Sequence, residues 1–318
     1  MMKKKISFLL CFITLIFGAC AAPTFEPASS VSSASGQTVT FTDDLGRTVT
    51  VDSPRRVAAL IGSFAEVWCL AGGKDQLVAT ADDAWTQFEL DLSQDVVSLG
   101  ATKEINAEQI LAADPDFVIA SCNTAANVEF LETFEKAGLN AAYFQVSTFE
   151  EYLHMLDICT QITGYREYYE SRGLAVREQV DDAKARQDGS NPTVLYIRAS
   201  GSGCKIKNSE DSVLGEMLAD LGCTNIADSE ETLLENLNME VIVQCDPTYI
   251  FVVMQGEDQE KLEKVIRTTL LDDPAWQGLS AVRNSNLYMM DQRLYNLKPN
   301  VRWGEAYAQL ADILYPEE

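Results

Sequence analysis

Six cations in two short stretches carry the chemistry most visible in this sequence: Arg198, Lys205 and Lys207, then Arg293, Lys298 and Arg302. They stand on a chain with 24 Lys and Arg against 48 Asp and Glu, a formal net charge of -24 and an isoelectric point near 4.3. A local cluster of positive charge on so acidic a background draws in and concentrates an anion. Guanidinium groups also bind carboxylate or catecholate oxygens two at a time and stack on aromatic rings. Arg198 and Arg293 follow the apolar runs 194–197 and 287–290, so both are expected just beyond strand ends. Lys207, Lys298 and Arg302 are read equally well as solvated loop charges. Trp85 and Tyr295 are candidates to stack on a planar or bulky ligand. Trp68 and Trp276 fit helix faces that pack in cores.

Other chemistries are poorly served. A bare transition metal needs several His and carboxylate ligands, and His154, within Tyr152-Leu153-His154-Met155-Leu156, is the single histidine. It is read as a surface or packing residue on a helix; haem held by His has equally little to rest on, while Tyr or Met ligation stays open. Cys69, Cys122, Cys159, Cys204, Cys223 and Cys245 form no C-x-x-C pair, and most sit in apolar company, as buried thiols do. Gly201-Ser202-Gly203-Cys204-Lys205 lacks the spacing of a phosphate-cradling loop. No Gly-x-Ser-x-Gly elbow follows a strand. The acidic surface repels phosphate backbones, so nucleic acid is excluded as a partner. A binding protein is expected rather than an enzyme, with no cofactor of its own; a metallocofactor enzyme on a related fold is the remaining catalytic alternative.

The elements that must position these residues read as two domains, since 318 residues exceed the common size of one. Runs 39–42 and 48–51 flank Asp44-Leu45-Gly46-Arg47, a hairpin pattern. Apolar strands at 56–61, 117–120 and 141–144 then alternate with helical patterns, which predicts a mostly parallel sheet. Ligands in such sheets sit beyond the carboxyl ends of the strands. That rule nominates the loops carrying Phe64, Asp82 to Trp85, Asn123, Arg198 to Lys205, Gln255 and Arg293 to Tyr295.

An internal repeat supports two similar lobes. Ile105-Asn106-Ala107-Glu108-Gln109-Ile110 leads to Asp114-Pro115, and Leu237-Asn238-Met239-Glu240-Val241-Ile242 leads to Asp246-Pro247. The matched positions differ by 132 throughout (238 less 106, 240 less 108, 246 less 114). Each Asn is an N-cap, each Glu complements the helix dipole, and Gln109 is placed to close a capping box. Glu66 and Gly72 are echoed more weakly by Glu216 and Gly222. Between the copies, Tyr169, Gly173, Val176, Val180 and Ala183 draw one apolar stripe on a charged helix over 166–186. At 1.5 Å per residue that helix spans about 30 Å, a strut that allows modest lobe motion.

Lys3-Lys4-Lys5 before the apolar run 6–17 reads as a secretory signal, too short for a spanning helix. Cys20 after Gly18-Ala19 resembles a bacterial lipobox, whose cysteine is acylated. The expected organisation is a signal peptide over 1–19, a lipidated tether over 20–37, an N-terminal α/β lobe over 38–165, a linker helix over 166–190 and a C-terminal α/β lobe over 191–318.

In order and spacing, the chain resembles the bilobal substrate-binding lipoproteins of bacterial ABC importers for ferric siderophores, haem and cobalamin. The resemblance is carried by Asp44-Leu45-Gly46-Arg47-Thr48-Val49, Pro54-Arg55-Arg56-Val57, Glu66 before Gly72, Ile105 to Asp116 and Pro274-Ala275-Trp276-Gln277-Gly278-Leu279. It implies two Rossmann-like lobes joined by a long α-helix, with a ligand cleft between them. It also implies a monomer held by lipid (palmitate among the acyl chains) on the outer face of the cell membrane. Its partners would be permease subunits and a small chelate, a ferric siderophore first, haem or a corrinoid next. The ligand-binding set is then Phe64, Trp85, Asn123, Arg198, Lys205, Arg293 and Tyr295, with Cys20 lipidated. Docking on the permease falls to one carboxylate per lobe: Glu108, and in the second lobe, where the aligned position falls on Ala219, Glu216 or Asp220.

Overall fold

The computed structural model describes residues 38–210, 212–256 and 258–316; the signal, Cys20 and the tether lie outside them. The hairpin pattern forms as expected, β1 (Thr38–Thr42) antiparallel to β2 (Thr48–Asp52). Asp43 closes it, accepting the Arg47 amide at 2.9 Å and its guanidinium at 2.5 Å.

The first lobe follows: β3 (Val57–Ala59), α1 (Gly62–Leu70), β4 (Leu77–Thr80), α2 (Asp83–Thr86), β5 (Val97–Ser98), α3 (Ala107–Ala112), β6 (Phe117–Ser121), α4 (Ala125–Glu129), α5 (Leu131–Ala137), β7 (Asn140–Phe144) and α6 (Phe149–Thr163). Its sheet has the order β5-β4-β3-β6-β7, all parallel. The order reverses between β3 and β6, which opens a crevice at their carboxyl ends.

The linker is α7 (Arg166–Tyr169), one π-helical turn (Glu170–Leu174) and α8 (Ala175–Lys184). Gly173, Val176, Val180 and Ala183 of the predicted stripe are buried. Arg177 binds Glu150 of α6 at 2.7 Å, and Lys184 binds Asp220 of the second lobe at 2.9 Å, so the strut is pinned at both ends.

The second lobe contains β8 (Thr193–Ser200), β9 (Gly203–Lys207), α9 (Val213–Asp220), β10 (Thr224–Asn225), α10 (Thr232–Glu235), α11 (Met239–Cys245), β11 (Tyr249–Gln255), α12 (Gln259–Ile266), α13 (Ser280–Arg283), β12 (Leu287–Met290), α14 (Gln292–Tyr295) and α15 (Trp303–Leu314). Strands β10, β8, β11 and β12 lie parallel in that order, with β9 antiparallel on β8. The stretch 198–205 is therefore a hairpin rather than a loop. Arg198 sits opposite Lys205 across it, and only Gly201-Ser202 turn.

The repeat is matched in backbone detail. Asn106 accepts the Gln109 amide at 2.9 Å, and Asn238 accepts those of Glu240 and Val241 at 3.1 and 3.4 Å. Asp114 and Asp246 close the two helices at φ of 49° and 41°, a left-handed conformation that Asp tolerates better than most residues. Among the described residues Gln109 makes no return bond, so only half of the expected capping box forms.

The described residues form one compact unit. One apolar cluster runs from Val39 and Phe64 through α6 and the linker to α9 and α15, and each lobe adds a second cluster behind its sheet. Trp68 and Trp276 are core residues. The six described cysteines are free thiols, and burial pushes Cys69 and Cys122 up to about 11 and Cys223 to about 12.

Candidate functional site

In the second lobe the strand order reverses between β8 and β11, and in the first between β3 and β6. The loops at these two switch points face each other. They enclose a cavity of about 540 Å³ lined by Ile61, Ser63, Asn123 and Thr124 from one lobe and Arg198 and Gln255 from the other. Two further cavities, each of about 390 Å³, open from it and also touch Arg198. Arg198 is thus common to all three.

Gly62 makes the first-lobe wall possible. A Cβ there would lie 2.5 Å from the Ala84 nitrogen, so the start of α1 seats directly on α2. The Gly62 amide donates to Asp83 Oδ1 at 2.8 Å, and burial holds the Asp83 carboxyl above its usual range.

The charge of the cleft opposes that of the chain. Lys103, Arg198, Lys205 and Lys298 line the three cavities, and among the described residues Asp83 is the one carboxylate that does. Among the described residues none of the four cations forms an ion pair. Arg198 makes one long bond, 3.4 Å, to Asn296 Oδ1. Burial holds the Lys298 ammonium down at about 8, with Glu151 acting in the opposite sense. Such a wall can bind oxygen anions in a partly desolvated setting, where each contact is stronger than in water.

The seven predicted ligand residues divide. Asn123, Arg198 and Lys205 line the cleft; Asn123 also donates to Ser147 Oγ at 3.1 Å. Phe64 is fully buried, edge-on to Phe144, and Trp85 packs against the central core from α2. Tyr295 touches one smaller cavity, but it is 1% exposed and its hydroxyl donates to Ala306 O at 3.0 Å. Arg293 is engaged elsewhere. Its Nη2 donates to Glu66 Oε2 at 2.6 Å, its Nη1 to the Lys298 carbonyl, and its guanidinium lies 4.1 Å over the Phe88 ring. Asn300 adds an amide bond to the same Glu66 oxygen and another to Ser63 O at 2.9 Å. Glu66, desolvated and raised despite Arg293, is the first-lobe anchor of this cross-lobe cluster.

Sequence reasoning left Lys103 and Asn296 out of the site and Lys298 among the solvated charges; it nominated the loop 82–85 but chose Trp85 there, whereas Asp83 lines the cleft. Lys103 follows β5, a two-residue strand with almost no pattern of its own. Lys298 and Asn296 lie after α14, one step beyond the nominated loop.

Glu108 is exposed in the first turn of α3. Its counterpart in the repeat is Glu240, in the first turn of α11, and the offset of 132 was the signal that pointed to it. Glu216 is half-buried on α9, the helix ended by Gly222 as α1 is ended by Gly72, so it matches Glu66 rather than Glu108. His154 is exposed, 4.0 Å from Asp44. Among the described residues no group of three or more His, Cys, Asp or Glu is placed to hold a metal, and no helix is long and apolar enough to cross a membrane.

Known proteins share this architecture. A family model described as periplasmic binding protein matches residues 57–294. The cobalamin-binding protein of Halobacterium salinarum is 24% identical over 322 residues, covering 96% of this chain and 84% of its own. The Fe(3+)-citrate-binding protein YfmC of Bacillus subtilis is 23% identical over 312 residues, covering 96% and 94%. The solved structure of the periplasmic heme-binding protein RhuT from Roseiflexus sp. RS-1, in apo form, has a TM-score of 0.67 at 20% identity, covering 82% of this chain and 98% of that one. With most of its length matched by the family model and its two mostly parallel sheets facing across a cleft, the chain belongs to the periplasmic binding protein family.

Proposed function

We propose that this chain is the extracytoplasmic, lipid-anchored substrate-binding protein of an ABC importer, and that its cargo is a bulky anionic iron chelate of the ferric siderophore class. The observation that carries the reading is the sign of the cleft. Four cations that form no ion pair among the described residues face one cavity system, on a chain of net charge -24. Such a reversal focuses anions toward the site and rejects cations. The relatives named for Fe(3+)-citrate and for cobalamin belong to the same class of carriers of bulky metal complexes. A haem or corrinoid cargo is the second reading, favoured by Ile61, Phe88 and Leu297 on the wall of the larger cavity. The two lining tyrosines speak against axial ligation, since Tyr196 and Tyr295 are each buried to 1% exposure.

In this reading Glu108 and Glu240 dock the two lobes on the permease, and Cys20 carries the lipid. Native mass spectrometry of the mature protein with ferric citrate, a ferric catecholate, haem and cyanocobalamin tests the cargo. A ferric chelate should remain bound, and Arg198→Ala should weaken it about 10- to 100-fold, the loss of one charged hydrogen-bonding group. Retention of none of the four would end the proposal.

A further inference from the structure

One of the two smaller cavities differs in kind from the cavity it opens from. The larger cavity carries Ile61, Phe88 and Leu297 on its wall. The smaller, about 390 Å³, shares Asn123, Arg198, Asn296 and Lys298 with it, then continues past Ser147 and Ser212. Among the described residues no carboxylate lines it, and Ser147, Tyr196, Ser212, Val213 and Tyr295 of its wall are buried, so it lies deeper. Beside Tyr196 and Tyr295, its polar residues are two cations, two amides and two serines. It also receives the positive amino end of α9, whose N-cap Ser212 side chain accepts no amide of the first turn.

Among the described residues the Lys298 ammonium forms no ion pair, and the carboxylate that acts on it, Glu151, is engaged elsewhere. Glu151, on α6, already accepts the amides of Ser147 and Thr148 and the Gln145 side chain. On β8 stands Arg198, a like charge, with the buried Tyr196. On α14, Arg293 is bound to Glu66, and the Tyr295 hydroxyl to Ala306.

We infer that this deeper chamber is an anion subsite, which takes a free carboxylate arm of the bound chelate and in which Lys298 is the cation that selects for it. The inference rests on the reading of the cleft as a chelate site. It narrows the cargo to iron complexes with carboxylate arms, as against hydroxamates that have none. The larger cavity holds the body of the complex and the chamber holds the arm. Because burial holds the Lys298 ammonium at about 8, capture of the arm weakens as the pH rises through that value.

The test compares wild type, Lys298→Gln and Lys298→Arg by isothermal titration with ferric citrate, ferrioxamine B and iron-free citrate. Circular dichroism checks that each variant is folded. Lys298→Gln should lose at least tenfold in affinity for ferric citrate and for iron-free citrate, and less than twofold for ferrioxamine B. Between pH 7 and pH 9 wild type should lose about tenfold for iron-free citrate, as a group titrating near 8 requires, and Lys298→Arg should not. Unchanged citrate affinity in folded Lys298→Gln, equal losses for both ferric complexes, or no binding of iron-free citrate to wild type would each overturn the subsite. Iron-free citrate bound through Lys298 while neither ferric complex binds would leave the subsite standing and remove the chelate reading instead.

Discussion

Arg293 of the second lobe and Glu66 of the first meet across the lobe boundary at 2.6 Å, each side chain only 16% exposed. Glu66 anchors the pair on α1, and Arg293 passes it on to the cleft wall through Phe88 and the Lys298 carbonyl. The pair therefore ties the spacing of the lobes to the position of groups that face the cavity.

Removing one partner of such a buried pair strands the other. Arg293→Ala should cost about 3 kcal/mol and lower the unfolding midpoint by several degrees. Glu66→Gln should cost less, since an amide oxygen still accepts from Arg293 and Asn300. Calorimetry on both variants decides it; an Arg293→Ala midpoint equal to wild type would refute the role of the pair.

The pH dependence of stability follows from buried carboxyls. Burial raises Glu66, Asp83 and Asp44, so the folded chain holds protons that the unfolded chain has released. Their contribution is complete below the ordinary carboxylate range and is lost as the pH rises through the raised values. Asp188, Asp246 and Glu305 are lowered and act in the opposite sense, but all three are exposed and screened. The unfolding midpoint should thus climb as the pH drops from 7 toward 5, with a shallower climb in the Glu66→Gln, Asp83→Asn double variant. A midpoint that falls over that range would contradict the assignment.

Gly62→Ala places a methyl group 2.5 Å from the Ala84 backbone, with neither segment free to give way. The expected cost is about 2–3 kcal/mol, in the range of overpacked cores. Loss of the Gly62 bond to Asp83 should also weaken ligand binding. Urea unfolding and titration on one sample would reveal either effect; wild-type values in both would be inconsistent with the close approach.

Charge reversal separates docking from capture. Glu108→Lys and Glu240→Lys should each leave ligand affinity within twofold and impair uptake by cells, because rim charges govern association with a partner. Glu216→Gln should leave uptake near wild type. Loss of ligand affinity in Glu108→Lys would place that residue in the pocket instead.

The paired halves could be read from the chain because a helix start and stop are local events. Asn106 with Asp114-Pro115, and Asn238 with Asp246-Pro247, each write a cap and a terminus within ten residues, and both appear where expected. The end of β6 was also legible, which is how Asn123 came to the cleft; Arg198 and Lys205 reach it from within the β8–β9 hairpin, beyond the strand end expected at 197. Strand ends do not say which way a side chain turns. Phe64 and Tyr295 follow strands closely yet turn inward, where aromatic surface is best buried. The partner of Arg293 lies 227 positions away, and no local pattern encodes a contact at that distance. Lys298 was obscure for a different reason: its meaning comes from Glu151 and Arg198, on elements distant in sequence.

The apolar cluster that runs unbroken from Val39 through the linker to Tyr315 gives the molecule a single fate on denaturation. Two hemispheres on a flexible tether could melt one at a time. Here, peeling α15 from α8 uncovers oily surface belonging to both at once. Heating should yield a lone sharp endotherm, and neither hemisphere should persist when severed from its twin.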